Sequence, residues 1–197
     1  ACGAGILLAA LTRAVCGHDR KKAASWLATH VHAADMSPLA LRGAALSLSA
    51  FTDDIEAILK MRRNWFCGDT LMRPAQDWEA LAPNGYGVVI ANPPWEKVKT
   101  SRHEFVKSQG TQRHYGSVHT QDNLQGYENA QQVAAAYARS LAIRYPLVAG
   151  GEVDLYAAFT ELMLHLARDG GGIAALLPGG LLRSPSTEPL RRTLVDG

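Results

Sequence analysis

Gly87-Val88-Val89-Ile90-Ala91-Asn92-Pro93-Pro94-Trp95 is the stretch that decides how this chain of 197 residues is read. Gly87 to Ala91 is a short, continuous apolar run rich in β-branched residues, the pattern of a strand buried on both faces. It stops at two prolines, which cannot donate to a ladder, so the strand ends at Ala91 and a rigid polar turn begins. A strand covered on both faces implies a parallel sheet flanked by helices, and in such sheets ligands bind beyond the carboxyl ends of the strands. The Asn-Pro-Pro-Trp turn stands at such an end. An aromatic amine is a poor nucleophile because its lone pair is delocalised into the ring. Two acceptors aimed at its N–H groups hold it in a geometry that frees that pair. The Asn92 side-chain oxygen and the Pro93 carbonyl are such acceptors, Pro93 and Pro94 fix the backbone, and Trp95 offers a face for a base turned out of its stack. The chemistry needs neither a metal nor a strong base. The plainer alternative is a rigid turn with a packed tryptophan.

Upstream of this strand the chain alternates strands with helices, and polar residues stand at the strand ends. Ala1-Cys2-Gly3-Ala4-Gly5 runs into an apolar helical pattern over residues 6–16. Val31-His32-Ala33-Ala34 is a short strand ending at Asp35, after which Ser37 and Pro38 supply an N-cap and a first-turn proline for a helix to about Phe51. Thr52-Asp53-Asp54 caps a further helix to Lys60, and Asn64 to Cys67 reads as a strand closed by Gly68-Asp69. Gly3 and Gly5 let backbone approach a ligand at a helix N-terminus, or simply turn the chain into a core helix. Asp35 lies where a doubly wound fold places a carboxylate that accepts from ribose hydroxyls, or is a turn aspartate beside the Ser37 helix start. Asp69 either holds the adenine amino group of a cofactor or terminates its strand.

Downstream, residues 96–150 separate two α/β units by far more than a usual connection and read as an insertion with a functional role. Six of the seven glutamines fall in it, and the part from Gln131 to Tyr145 is helical in pattern. Between Lys97 and Arg113 it is basic: Lys97, Lys99, Arg102, Lys107 and Arg113 stand against the single acid Glu104. That is the footprint of phosphate contacts, with a solvated loop as the other reading. An amphipathic helix over residues 154–167, glycines at 170–172 that end it, a buried strand from Ile173 to Leu177, the Pro178-Gly179-Gly180 turn and a helix over Glu188–Val195 complete the pattern.

With 47% hydrophobic and 19% charged residues, the composition is that of one α/β-sized domain rather than a disordered or fibrous chain. No apolar run approaches the ~20 residues that cross a bilayer, and the chain start lacks the basic region of a signal peptide, so the expected location is cytoplasmic. Three cysteines, Cys2, Cys16 and Cys67, form no C-x-x-C pair and are expected as reduced thiols. The net charge of +2 does not by itself mark a nucleic-acid protein. His30-x-His32 has no nearby carboxylate or cysteine partners; two side chains on one face of a strand, not a metal site, are expected.

Val88 to Trp95, followed by Glu96, is similar to the catalytic motif of N6-adenine DNA methyltransferases, especially the large restriction-modification and phage-defence enzymes. Ala1 to Gly5 resembles the back half of their cofactor motif Asp-Pro-Ala-Cys-Gly-x-Gly. Asp35 matches the ribose-binding acid, Gly68-Asp69 the Gly-Asp that contacts cofactor adenine, and Asp154 to Phe159 with Gly170 to Pro178 the next helix and strand. The ordered set covers almost the whole chain. The resemblance implies a Rossmann-like methyltransferase fold, α/β, with a mostly parallel sheet flanked by helices. It implies S-adenosyl-L-methionine held by Ala1, Cys2, Gly3, Gly5, Asp35, Met36 and Asp69, and double-stranded DNA with a flipped adenine at Asn92-Pro93-Pro94-Trp95. Lys97, Lys99 and Arg102 are the implied phosphate contacts. The family's first strand, its Asp-Pro and a target-recognition domain have no counterpart in residues 1–197. The expectation is therefore a partial catalytic domain of a larger restriction or defence enzyme, with further domains or subunits as partners. Asn-Pro-Pro-aromatic turns also serve methylation of RNA guanine amines and of a protein glutamine amide, and a catalytically inactive scaffold keeps the same fold.

Overall fold

The computed structural model describes residues 1–98, 121–148 and 153–196, with the backbone alone over 121–127. The elements are α1 (Ile6–Cys16), α2 (Arg20–His30), β1 (Ala34–Asp35), α3 (Pro38–Ser49), α4 (Ile55–Arg63), β2 (Phe66–Cys67), α5 (Ala75–Leu81), β3 (Tyr86–Ala91), α6 (Gln121–Arg144), α7 (Leu155–Leu166), β4 (Ala167–Ala175), α8 (Gly180–Arg183) and α9 (Glu188–Asp196). They fall into two compact units, Ala1–Pro94 with Leu162–Leu177, and Trp95–Glu161 with Pro178–Gly197. The division passes through α7.

In the first unit the helix starts follow the local chemistry. The Asp19 side chain accepts from Lys21 N and Lys22 N, Ser37 from Ala40 N, and Asp54 from Ala57 N, so each helix begins where a short polar side chain satisfies its first N–H groups. The helices α1 to α4 bury Leu8, Leu27, Leu48 and Met61 with Val31 and Ala33, and Trp26, Phe51, Ile58, Trp65 and Ile90 pack against that cluster. Each such aliphatic contributes about 1.5–3 kcal/mol when fully buried.

Both strand pairs are parallel. β1 and β2 join through Ala34↔Phe66 and Asp35↔Cys67. β3 and β4 join through Val88↔Gly172 to Ala91↔Ala175, and Leu176 N extends the ladder to Ala91 O at 3.1 Å. The strands beginning at Val31 and Asn64 are thus shorter than their apolar patterns, reduced to two residues each. The glycines at 170–172 do not end α7. They sit inside β4, where Tyr86↔Ala167 and Val88↔Gly172 match two residues of β3 to five of β4. A Cβ on Gly171 would lie 2.8 Å from Arg168 O and 2.9 Å from Tyr86 O, so the bulge closes only around glycine. β3 also differs from the expectation of burial on both faces: Val88 is 47% exposed. Its one ladder among the described residues runs to β4.

His30 and His32 do not share a strand face. His30 closes α2, whereas His32 is half-buried with Nδ1 3.0 Å from the Tyr86 hydroxyl, edge-on to its ring. Burial, then Arg73, holds the His32 pKa below its usual value.

In the second unit α6 runs ten residues further toward the N-terminus than its pattern suggests, beginning at Gln121 rather than Gln131. The chain then makes a single turn over Pro146–Val148. The buried Glu161 carboxylate accepts from Leu147 N at 3.1 and 3.3 Å, fixing this turn to α7. At the other end Arg191 donates to Leu181 O (3.0 Å) and Ser184 O (2.6 Å), locking the turn before α9.

Candidate active site

β1 carries Asp35 to its carboxyl end, where the carboxylate accepts from Gly3 N (2.9 Å) and from Ser37 N (2.9 Å). One side chain thereby ties the glycine loop to the start of α3. Ala1 N and Cys2 N both donate to Ala34 O, at 2.7 and 3.1 Å. The Ala33 and Asp35 carbonyls instead take Phe66 N (2.8 Å) of β2 and Gly68 N (3.0 Å) just after it. Residues 1 and 2 therefore line the edge of β1 opposite β2. The Gly68 contact brings Gly68-Asp69 beside Asp35, and Leu71 N donates to Asp69 Oδ1 at 3.0 Å. Met36, 72% exposed, lies next to the carboxylate in the chain and receives the Cys67 thiol on its carbonyl at 3.9 Å. Ala1, Cys2, Gly3, Gly5, Asp35, Met36 and Asp69 are thus all placed in the first unit, around the ends of β1 and β2.

The two glycines have different duties. Gly5 (φ +82°) has no room for a side chain, because a Cβ would sit 2.8 Å from the Ala44 Cβ on α3. Gly3 (φ +54°) faces open space, with no atom within 4 Å of its Cβ position. Gly5 also starts α1 without a side-chain cap, which leaves the first N–H groups of that helix to other partners. A carboxylate offers about four lone-pair positions, and Asp35 has two protein donors on it. An open glycine, an uncapped helix start, a carboxylate with acceptor capacity and an exposed thioether fit a cofactor that carries a ribose and an adenine. Burial pushes the Cys2 thiol up to about 11, so it is a neutral packing group here and not a nucleophile.

At the end of β3, Pro93 is buried and Asn92 and Pro94 are exposed. Neither the Asn92 side chain nor the Pro93 carbonyl is hydrogen-bonded by another described residue. Trp95, in the second unit, is 57% exposed. Lys97 is exposed and its backbone pairs antiparallel with Asp154. Lys99 and Arg102 lie outside the described residues, as does the remainder of the basic stretch up to Arg113.

Sequence patterns do not signal the stack behind β2. The Arg73 guanidinium lies between the Phe66 and Trp78 rings, 4.6 and 4.2 Å from their centres, and Trp78 meets Tyr86 edge-on at 6.5 Å. A groove of about 760 Å³ between α2 and α4 is lined by Arg20, Lys21, Asp53, Asp54, Lys60 and Arg63, among others, and by none of the strand-end residues. Its mixed charges include the Arg20–Asp53 ion pair, and its Asp54 carboxylate is the N-cap of α4.

Parallel strand pairs, helices packed on them, and polar residues gathered at the strand ends are the features of an α/β domain of the methyltransferase type. The sequence profile of the Eco57I restriction-modification methylase family matches residues 29–196, and the chain belongs to that family. The match takes in Asp35, Asp69 and the whole Asn92–Trp95 turn, and begins after the glycine loop and α1. Comparison with curated proteins gives no match. No helix among the described residues is long and apolar enough to cross a membrane.

Proposed function

We propose that this chain is the catalytic part of a methyltransferase that transfers a methyl group from S-adenosyl-L-methionine to the N6 amine of adenine in double-stranded DNA. In this reading it acts within a restriction-modification or phage-defence enzyme. The observation that carries the reading is the end of β3: two acceptors on consecutive residues, the Asn92 amide oxygen and the Pro93 carbonyl, are held by two prolines and take no hydrogen bond from another described residue. A planar exocyclic amine has two N–H groups to give them. When they accept, the nitrogen lone pair leaves conjugation with the ring, and positive charge growing on nitrogen falls next to two negative dipole ends. The amine proton then passes to water. Bound S-adenosyl-L-methionine supplies an electrophilic methyl on a sulfonium. Asp35 accepts from its ribose hydroxyls, Gly3 lets the backbone approach it, and Met36 and Asp69 border its adenine. Trp95 stacks on the flipped base, with Lys97, Lys99 and Arg102 on the flanking phosphates. The fold that this implies is Rossmann-like, with β2-β1 and β3-β4 as two parts of one parallel sheet.

Replacement of Asn92 tests the reading. Asn92→Ala removes an acceptor needed most as the nitrogen rehybridises, so turnover should fall by at least the 10²–10³-fold that loss of one such group costs, with cofactor affinity retained. Asn92→Asp keeps an acceptor oxygen and should keep measurable activity. An Asn92→Ala variant that methylates at the parent rate would show the assignment to be wrong. RNA guanine and glutamine peptide, offered as substrates beside duplex DNA, should remain unmethylated.

A further inference from the structure

We infer that Asp154 and Tyr156 are positioning residues for Trp95, holding the segment that leaves the Asn-Pro-Pro-Trp turn so that its indole is presented to the target base. This rests on the assignment of Trp95 to that base. All the contacts lie inside the second unit. Immediately after Trp95 the chain enters a short antiparallel clamp: Leu155 N donates to Glu96 O at 3.0 Å, Val98 N donates to Val153 O at 3.0 Å, and Lys97 pairs with Asp154. The residues that fix Glu96 to Val98 fix the backbone on the C-terminal side of Trp95, and with it the directions its indole can take. Asp154 is the hinge of that clamp. Its carbonyl accepts from Ala157 N (3.1 Å) and Ala158 N (3.3 Å), starting α7, while its carboxylate accepts from the Tyr156 hydroxyl at 3.4 Å.

Tyr156 is only 4% exposed, which prevents its hydroxyl from trading this carboxylate for bulk water. The Pro178-Gly179-Gly180 turn is seated directly on it. A Cβ on Gly180 would come 2.9 Å from the Tyr156 hydroxyl. Burial, and then the neighbouring Asp154, raises the Tyr156 pKa, so the phenol stays protonated and remains a donor. A buried phenol on one side of the clamp and the exposed indole at its start are therefore joined through two main-chain hydrogen bonds, which together make the Lys97–Asp154 bridge. The pattern Asp154-Leu155-Tyr156 acquires a reason beyond helix initiation.

The test uses Tyr156→Phe, which keeps the ring and its burial and removes the hydroxyl, and Asp154→Asn, which keeps the shape and weakens the acceptor. Two readouts are taken on each: steady-state methyl transfer to adenine-containing duplex DNA, and the ¹⁹F resonance of 5-fluorotryptophan at position 95, assigned by its loss in Trp95→Phe. The expected result is a displaced or broadened Trp95 resonance together with a KM for DNA raised several-fold more than kcat falls. The KM defect should shrink on duplex in which the target adenine is mispaired, because that base is already partly unstacked. Unchanged KM and an unchanged Trp95 resonance in both variants overturn the inference. So does a parallel fall of kcat, cofactor affinity and melting temperature, the signature of a merely structural contact. If the parent leaves adenine unmethylated while the Trp95 resonance still responds to Tyr156→Phe, the functional reading fails and the positioning role stands.

Discussion

Asp35 engages both carboxylate oxygens on backbone N–H groups, one from the glycine loop and one from the start of α3. In the proposed reading it also accepts from ribose, so its removal loosens the loop and deletes a ligand contact together. Hydrogen bonds to a charged group are worth about 1.5–3 kcal/mol, and Asp35→Ala should raise the dissociation constant for S-adenosyl-L-methionine by about ten- to a hundredfold in calorimetry. Unchanged affinity would remove Asp35 from the site. Glu161 shows the other fate of a carboxylate. Burial raises its pKa above the ordinary 4.5, against the lowering effect of its bonds from Leu147 and Val148. An acid whose folded pKa exceeds its unfolded one binds more protons in the folded state, so its contribution to stability is greatest below the unfolded value and declines as pH rises toward the folded one. Denaturant midpoints measured upward from about pH 4 should fall less steeply for Glu161→Gln than for the parent; parallel curves would count against it.

The glycine loop and the helices it joins separate packing from binding. Gly5→Ala forces a left-handed alanine and a Cβ into Ala44, and overpacking of this kind costs about 1–3 kcal/mol beyond the strain, so thermal melting should drop by several degrees. Gly3→Ala meets nothing in the protein, and its expected effect is mainly on cofactor affinity. Equal losses of stability in the two variants would refute this division. The same elements show what sequence could tell. α1, α3 and α4 were legible because apolar periodicity and the caps Ser37 and Asp54 are local signals, as was the end of β3 at the Pro93-Pro94 block. α7 and α9 were legible on the same ground, their expected and observed bounds differing by a residue or so, whereas α2 and α5 were not. α2 has weak amphipathic patterning and α5 is seven residues long, so neither announces itself. The length of β1 and β2 depends on which neighbours complete the ladder, and the glycines of β4 depend on a bulge opposite Tyr86; both are tertiary facts. Of the site, the acids and the Asn-Pro-Pro-Trp turn were readable as strand-end residues. That Gly5 serves Ala44, and that Asp154 and Tyr156 brace the segment after Trp95, requires side chains far apart in sequence or facing one another across a turn.

At the scale of the whole molecule, the net charge is only +2, so in the proposed reading the placement of charge, not its total, is the basis for DNA binding. The basic residues follow the Asn-Pro-Pro-Trp turn directly in sequence. Neutralising Lys97, Lys99 and Arg102 together should weaken DNA binding and flatten its salt dependence, each lost phosphate contact reducing the log–log slope by about 0.9. Identical slopes for variant and parent would assign these cations to solvent. The reading as a whole rests on which atom receives the methyl group. The most direct measurement is to incubate the protein with duplex DNA and isotope-labelled S-adenosyl-L-methionine, digest the DNA to nucleosides, and identify the labelled product by mass spectrometry. The account predicts label in N6-methyl-deoxyadenosine alone, lost when Asn92 is replaced by alanine. Label on cytosine, or adenine labelling that survives Asn92→Ala, would contradict it.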